Sequence, residues 1–247
     1  MSGHSKWASI KHKKAVVDAR RGQAFTKLAN TITVAAKEGG ADPEMNFRLR
    51  LAVEKARGAN MPGANIQRAI DRGVGKGDGA QLSEVTYEGF GPGGVAVLAR
   101  VLTDNRNRSA ADVRSIFGKS GGKMAEVGSV AWMFKPRGII RVSETDAEKQ
   151  EELALTVIEA GASDVETGEG VTVYTTPENL SGVQDALRDA GVAFESELAL
   201  EPKDTVQVDD PETARKVVKF LDALEEYDEV VEVVSNFDTS LELEAIS

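Results

Sequence analysis

The chain has 247 residues, 41% of them apolar and 28% charged, with no cysteine and a net charge of −10. That length accommodates two or three domains, and the lack of cysteine excludes disulfides, thiolate catalysis and cysteine-based zinc sites. No apolar run approaches the ~18 residues of a membrane span, the N-terminus lacks the apolar stretch of a secretory signal, and the absence of cysteine fits a reducing compartment.

The first segment is a basic arm. "GHSKWASIKHKKAVVDARRG" (Gly3–Gly22) carries Lys6, Lys11, Lys13, Lys14, Arg20 and Arg21 against one acid, Asp18. Its basic and apolar positions form no single helical stripe, so it is expected to order on contact with a partner. From Phe25 the apolar spacing changes to i, i+3, i+4, i+7 and predicts a helix ended by Gly39-Gly40. Asp42-Pro43 opens a second predicted helix with Met45, Leu49, Ala52 and Ala56 on its face, stopped at Gly58. "NMPGANIQRAIDRG" (Asn60–Gly73) reads as a loop and a third helix with Ile66, Ala69 and Ile70 inward. "GVGKGDGAQ" (Gly73–Gln81) reads as a linker.

Beyond the linker the period becomes that of strands. "VTYEGFGPGGVAVLARVLTD" predicts two strands around a Gly/Pro turn. A helix is expected from Ser109 to Gly121-Gly122, and a strand at "GSVAWMF". From Gly138 to Pro202 the predicted order is β-α-β-β-α-β, the ferredoxin-like pattern. A strand at "TVQV", a helix over Pro211–Glu226 and a strand at "EVVEVVSNFD" close the chain. The expected fold is multi-domain α and α+β: a helical domain (1–76), a discontinuous α+β domain (82–136 and 204–240), and a ferredoxin-like domain (137–203) inserted in it.

Charge follows this division. Residues 1–76 sum to +9, residues 77–141 to +3 and residues 142–247 to −22. Such a gradient points to a basic end that meets a polyanion; the plainer alternative is that separate charged faces keep the chain in solution. Lys and Arg neutralise phosphates without reading sequence. Trp7 and His12 could stack on an exposed base, and Trp7 serves equally well as an anchor for the arm. In "NRNRSAADVR", Arg106 and Arg108 precede the expected helix start, where main-chain N–H groups and guanidinium groups suit a phosphate. The alternative there is a Ser109 cap flanked by exposed arginines.

Enzyme chemistry finds little support. "GFGPGG" matches G-x-G-x-x-G in letters, but a strand rather than a helix follows it, and Pro92 removes one N–H from the loop. The two histidines, His4 and His12, both lie in the arm and make no metal site with the single acid nearby. The carboxylates after residue 142 are scattered rather than paired. No catalytic residue, metal, cofactor, membrane contact or small-molecule substrate is expected, and the chain is expected to be a monomer.

"MSGHSKWASIKHKKAVVDARRGQAFTKL", "ANMPGANIQRAI", "TDNRNRSAADVR" and "GGKMAEVGSVAWMF" resemble the signature stretches of the YebC family, and the resemblance runs over essentially the whole chain. That family spans bacterial proteins labelled probable transcriptional regulators and a mitochondrial translational activator. The resemblance implies a helical N-terminal domain with two α+β domains, and cytoplasmic nucleic-acid binding without catalysis. It also implies one of two roles: transcription control on DNA, or action on the ribosome during synthesis of difficult, proline-rich stretches. The second is the leading expectation, with phosphate contacts from the six arm cations and Lys27. The loop Asn60, Met61, Pro62, Gly63 and Asn65 would then probe a functional RNA site. Many relatives carry Lys at the position of Gly63.

Overall fold

The computed structural model describes residues 21–76 and 82–241. The described residues divide into two compact units, one of residues 21–56, 60–76, 82–135 and 201–241, the other of residues 57–59 and 136–200.

The first unit begins with helices α1 (Arg21–Gly39), α2 (Phe47–Gly58) and α3 (Gly63–Gly73). None can bury its apolar face alone, and the three share one core of Ile32, Ala35, Ala36, Leu49, Val53, Ala56, Ile66 and Ile70. Small residues let α1 and α3 approach closely: a Cβ at Gly73 would sit 2.3 Å from the Thr33 carbonyl oxygen. Thr33 Oγ1 bridges the same pair, donating to the carbonyl of Ala29 at 2.9 Å or Ala69 at 3.0 Å.

The second helix starts later than its sequence suggests. Residues 42–45 form a turn, with the Glu44 N–H on Asp42 Oδ1 at 2.9 Å, and Met45 is 84% exposed. Asn46 takes the capping position: its Oδ1 accepts the Leu49 N–H at 3.1 Å, and its Nδ2 donates to the carbonyls of Ala35 (2.8 Å) and Gly40 (2.9 Å). A buried side chain that satisfies main-chain groups of two segments outweighs the mild preference of proline for a first turn.

Next comes an antiparallel sheet of β1 (Ser83–Phe90), β2 (Ala96–Thr103), β3 (Lys123–Ala125) and β9 (Val230–Ser235), in the order β3-β1-β2-β9. Helices α4 (Arg106–Lys119) and α7 (Pro211–Glu226) cover one face. There the Phe117 and Phe220 rings meet edge-on with centroids 4.8 Å apart. On the other face Ala96 and Leu98 pack with Val130 and Phe134. Burial on both faces explains why β2 is apolar at every position from Ala96 to Leu102 except Arg100. Between β1 and β2, Gly93 and Gly94 take positive φ (71° and 76°) in a short turn. The G-x-G-x-x-G letters therefore serve a hairpin.

The expected strand at "GSVAWMF" is a loop that ends in a 3-10 turn at Ala131–Met133. Glu88 causes the change. Its buried carboxylate accepts N–H bonds from Gly128 (2.6 Å), Val130 (2.8 Å) and Ala131 (2.9 Å). Those amides curl round one acceptor instead of forming a ladder. Burial pushes this carboxyl upward, but the three donors outweigh it and hold it below the usual carboxylate range.

An ion network joins the helices to this sheet. Arg48 of α2 pairs with Glu38 of α1 and Glu84 of β1. Glu84 also faces Arg100 of β2 at 3.9 Å, and Arg100 pairs with Glu232 of β9 at 2.8 Å. A two-stranded parallel pair, β8 (Val206–Gln207) with β10 (Phe237–Asp238), completes the described part of the unit.

The second unit is built from β4 (Phe134–Val142), α5 (Ala147–Glu159), β5 (Asp164–Thr167), β6 (Val171–Thr175), α6 (Leu180–Asp189) and β7 (Glu195–Pro202). Its sheet order is β5-β6-β4-β7. Asp146 caps α5, its Oδ1 accepting the Lys149 N–H at 3.1 Å. Ile140, Val157, Val173, Leu180, Val183 and Leu187 are buried.

Candidate nucleic-acid interface

Most of the arm lies outside the described residues: Lys6, Trp7, Lys11, His12, Lys13, Lys14 and Arg20 are among them, and Arg21 is the first residue of α1. Lys27 lies on α1 with a structural tie. Its Nζ donates to the carbonyl of Glu225, one residue from the end of α7, where a cation meets the negative end of the helix dipole. Lys37 is held similarly by the Leu82 carbonyl at 3.0 Å.

The Asn60–Asn65 segment is a tightly built helix connection. Asn60 has φ +60°, a conformation that asparagine tolerates better than most residues, and the Met61 N–H returns to the Ala56 carbonyl at 2.9 Å. This is the closing pattern of a helix C-terminus. It turns Met61 inward, where it is 5% exposed and joins the three-helix core. Met61 is therefore a packing residue, and only Asn60, Pro62, Gly63 and Ala64 form the exposed crest. Pro62 occupies the cap of α3 without a side-chain hydrogen bond. Asn65 lies inside the first turn, its Oδ1 accepting from Arg68, so it is no cap. The signal for the inward Met61 was its position two residues beyond the helix-stopping Gly58-Ala59.

At the other cluster, α4 starts at Arg106, three residues before the expected Ser109. Asn105 is the cap, its Oδ1 accepting the Arg108 N–H at 3.1 Å. Ser109 is buried within the first turn, 2.8 Å from the Tyr87 hydroxyl. Arg106 is exposed, with its Nε 3.3 Å from Ser83 Oγ. Arg108 is bound to two carboxylates, Asp104 Oδ1 at 2.8 Å and Glu229. Its hydrogen bonds to Glu229 and then Asp104 raise its pKa far above the usual value. The Tyr227 hydroxyl donates toward Glu229 (2.8 Å) and Asp112 (2.9 Å). Burial and those two carboxylates push its pKa up. A phosphate at Arg108 would have to displace an acid already there. Asp104 stands four residues before Arg108 in the same stretch, whereas Glu229 is 121 residues distant in the chain, where no local pattern points to it. Arg106, Arg114 and Lys119 remain exposed on α4, and Arg72 and Lys76 at the end of α3.

Among the described residues no His, Asp and Glu grouping could hold a metal ion, and no helix is long and apolar enough to cross a membrane.

A helical module joined to antiparallel sheets, with cations on its helix ends, defines a multi-domain α and β protein. The chain belongs to the TACO1/YebC family: residues 5–76 match the TACO1/YebC protein N-terminal domain, and residues 82–237 match the TACO1/YebC second and third domain. It is 51% identical over 242 residues to a "probable transcriptional regulatory protein" of Halothermothrix orenii, covering 96% of this chain and 95% of that one. With a protein of the same name from Rubrobacter xylanophilus it shares 53% identity over 248 residues, covering 99% and 98%. The crystal structure of a conserved hypothetical protein from Aquifex aeolicus is similar at a TM-score of 0.86 and 48% identity, over 97% of this chain and 99% of that one.

Proposed function

We propose that the protein is a non-enzymatic, nucleic-acid-binding regulator of gene expression, and that it acts as a ribosome-associated translation factor in the cytoplasm. The observation that carries this reading is the +9 charge of residues 1–76 in a chain of net −10. An acidic protein that concentrates cations at one end gains affinity for a polyanion there and repels it elsewhere. Phosphates meet Lys6, Lys11, Lys13, Lys14, Arg20, Arg21 and Arg106. Trp7 and His12 offer stacking surfaces, and the Asn60–Ala64 crest, poor in side chains, reaches into an RNA site. The β5-β6-β4-β7 order supports a ferredoxin-like domain over 137–203, inserted in a domain of 82–136 and 204–240.

A second reading, a DNA-binding transcriptional regulator, draws on the names of the relatives from Halothermothrix and Rubrobacter. It also draws on α2 and α3, two helices joined by four residues, the connection length of a helix-turn-helix. Sedimentation of a cell lysate through sucrose, with and without ribonuclease, separates the two. Ribonuclease-sensitive co-migration with ribosomal particles is the expected result. Migration with DNA, or as free protein in both samples, overturns the translation reading.

A further inference from the structure

Residues 136–200 hold fourteen carboxylates against four basic side chains, a net of −10. In this unit β5 ends the sheet and pairs only with β6. The far side of its backbone has no strand partner among the described residues, and such an edge is a template for an added strand. Next to it, α5 exposes two large apolar side chains, Leu155 (65%) and Ile158 (54%). An open groove of about 490 Å³ runs between helix and strand, lined by Glu151, Ala154 and Ile158 of α5 and by Asp164, Val165 and Thr167 of β5.

We propose that this groove docks an extended, lysine- and arginine-rich segment of another protein, which adds to β5 as a strand. Three observations converge. As the outer strand of the sheet, β5 can take an extended peptide through its main chain, with the Val165 N–H, now held by Asp164 Oδ1 at 2.9 Å, released as the Asp164 carboxylate turns to a basic side chain of the peptide. Ile158, Ala154 and Val165 supply an apolar lining for alternate side chains of that strand, since successive strand residues point to opposite faces. The surrounding carboxylates select the charge of the partner: a basic segment is attracted, and nucleic acid and acidic peptides are repelled. This site stands apart from the nucleic-acid reading and does not depend on it.

The test is fluorescence anisotropy of the full chain with a labelled octapeptide that alternates basic residues with valine. Two control peptides replace the valines by serine or the basic residues by glutamate. Amide exchange over residues 164–167 is measured alongside. Saturable binding and slowed exchange in β5 are expected with the first peptide only. Ile158→Lys, a half-exposed site, should weaken binding roughly tenfold, and Glu151→Lys by a smaller factor, with circular dichroism unchanged. Equal binding by both variants and the parent overturns the proposal. So does equal binding of the serine peptide, which would mean charge attraction alone. Tighter binding of a peptide of residues 1–20 at the same amides would make this chain, and not another protein, the occupant.

Discussion

Replacing Glu88 by Gln should destabilise the fold by about 2–4 kcal/mol at pH 7. The carboxylate is 4% exposed and accepts three main-chain N–H bonds, from Gly128, Val130 and Ala131. A glutamine of the same shape keeps one acceptor oxygen and turns an NH₂ group toward at least one of those donors. Hydrogen bonds to a charged group contribute about 1.5–3 kcal/mol each, and a buried donor left unpaired costs about 1–3 kcal/mol. Losing one such bond and stranding one N–H gives the stated range after partial relaxation. For a protein of this size it lowers the melting temperature by roughly 5–15 °C. The pH dependence has a definite sign. The folded carboxyl lies below its ordinary value, so its contribution is complete above the unfolded pKa of ~4.3 and is lost as pH falls through the folded value. The gap between parent and variant should therefore be full at pH 7 and narrow below about pH 4. Urea denaturation at several pH values measures it, and amide exchange at 128–131 localises it. A variant within ~0.5 kcal/mol of the parent at pH 7, with unaltered exchange there, would refute the assignment of Glu88 as organiser of the loop.

Deletion of residues 1–21 should weaken RNA binding and flatten its salt dependence, whose log–log slope falls by about 0.7–0.9 for each phosphate that is no longer neutralised; electrophoretic mobility shifts at several salt concentrations would show it. Arg106→Ala should reduce binding with little change in melting temperature, whereas Arg108→Ala should lower the melting temperature slightly, because it breaks exposed ion pairs with Asp104 and Glu229. Met61→Ala should cost about 2–5 kcal/mol because it empties part of the helical core, so function of the crest is better probed through Pro62 and Gly63. Asn60→Gly should leave stability within a few tenths of a kcal/mol and Asn60→Ala should lower it by about 1 kcal/mol, by thermal denaturation, because glycine accepts positive φ freely and alanine does not.

The helices of the first unit were legible because their apolar faces repeat every three or four residues; Ile66, Ala69 and Ile70 are buried as their spacing requires. What could not be read is set by partners distant in sequence or by side chains that serve the main chain. Asn46 displaced a helix start by satisfying carbonyls of α1. Asn105 took the cap for which Ser109 is chemically suited, and the Tyr87 hydroxyl drew Ser109 into the core. The "GSVAWMF" stretch alternates like a strand, yet Glu88, forty residues earlier, bends it. At the candidate interface the cations were visible as letters, but the acids that occupy Arg108 include one from the turn after α7. No local pattern announces that pairing.

The Arg48–Glu84–Arg100–Glu232 chain of charges bears on how any salt titration of this protein should be read. Its members are between a fifth and two-fifths exposed, so added electrolyte reaches them and shortens their range of attraction. Added electrolyte thus loosens the anchorage of the helical module on its own sheet, and on the proposed reading the same ions compete with the basic arm for phosphate. On that reading a plot of log affinity against log salt has two sources of slope: cations shed from the polyanion, and a helical module that yields on its sheet. The first is linear. The second bends the line at the salt concentration where Arg48 lets go, and Arg48→Met straightens it.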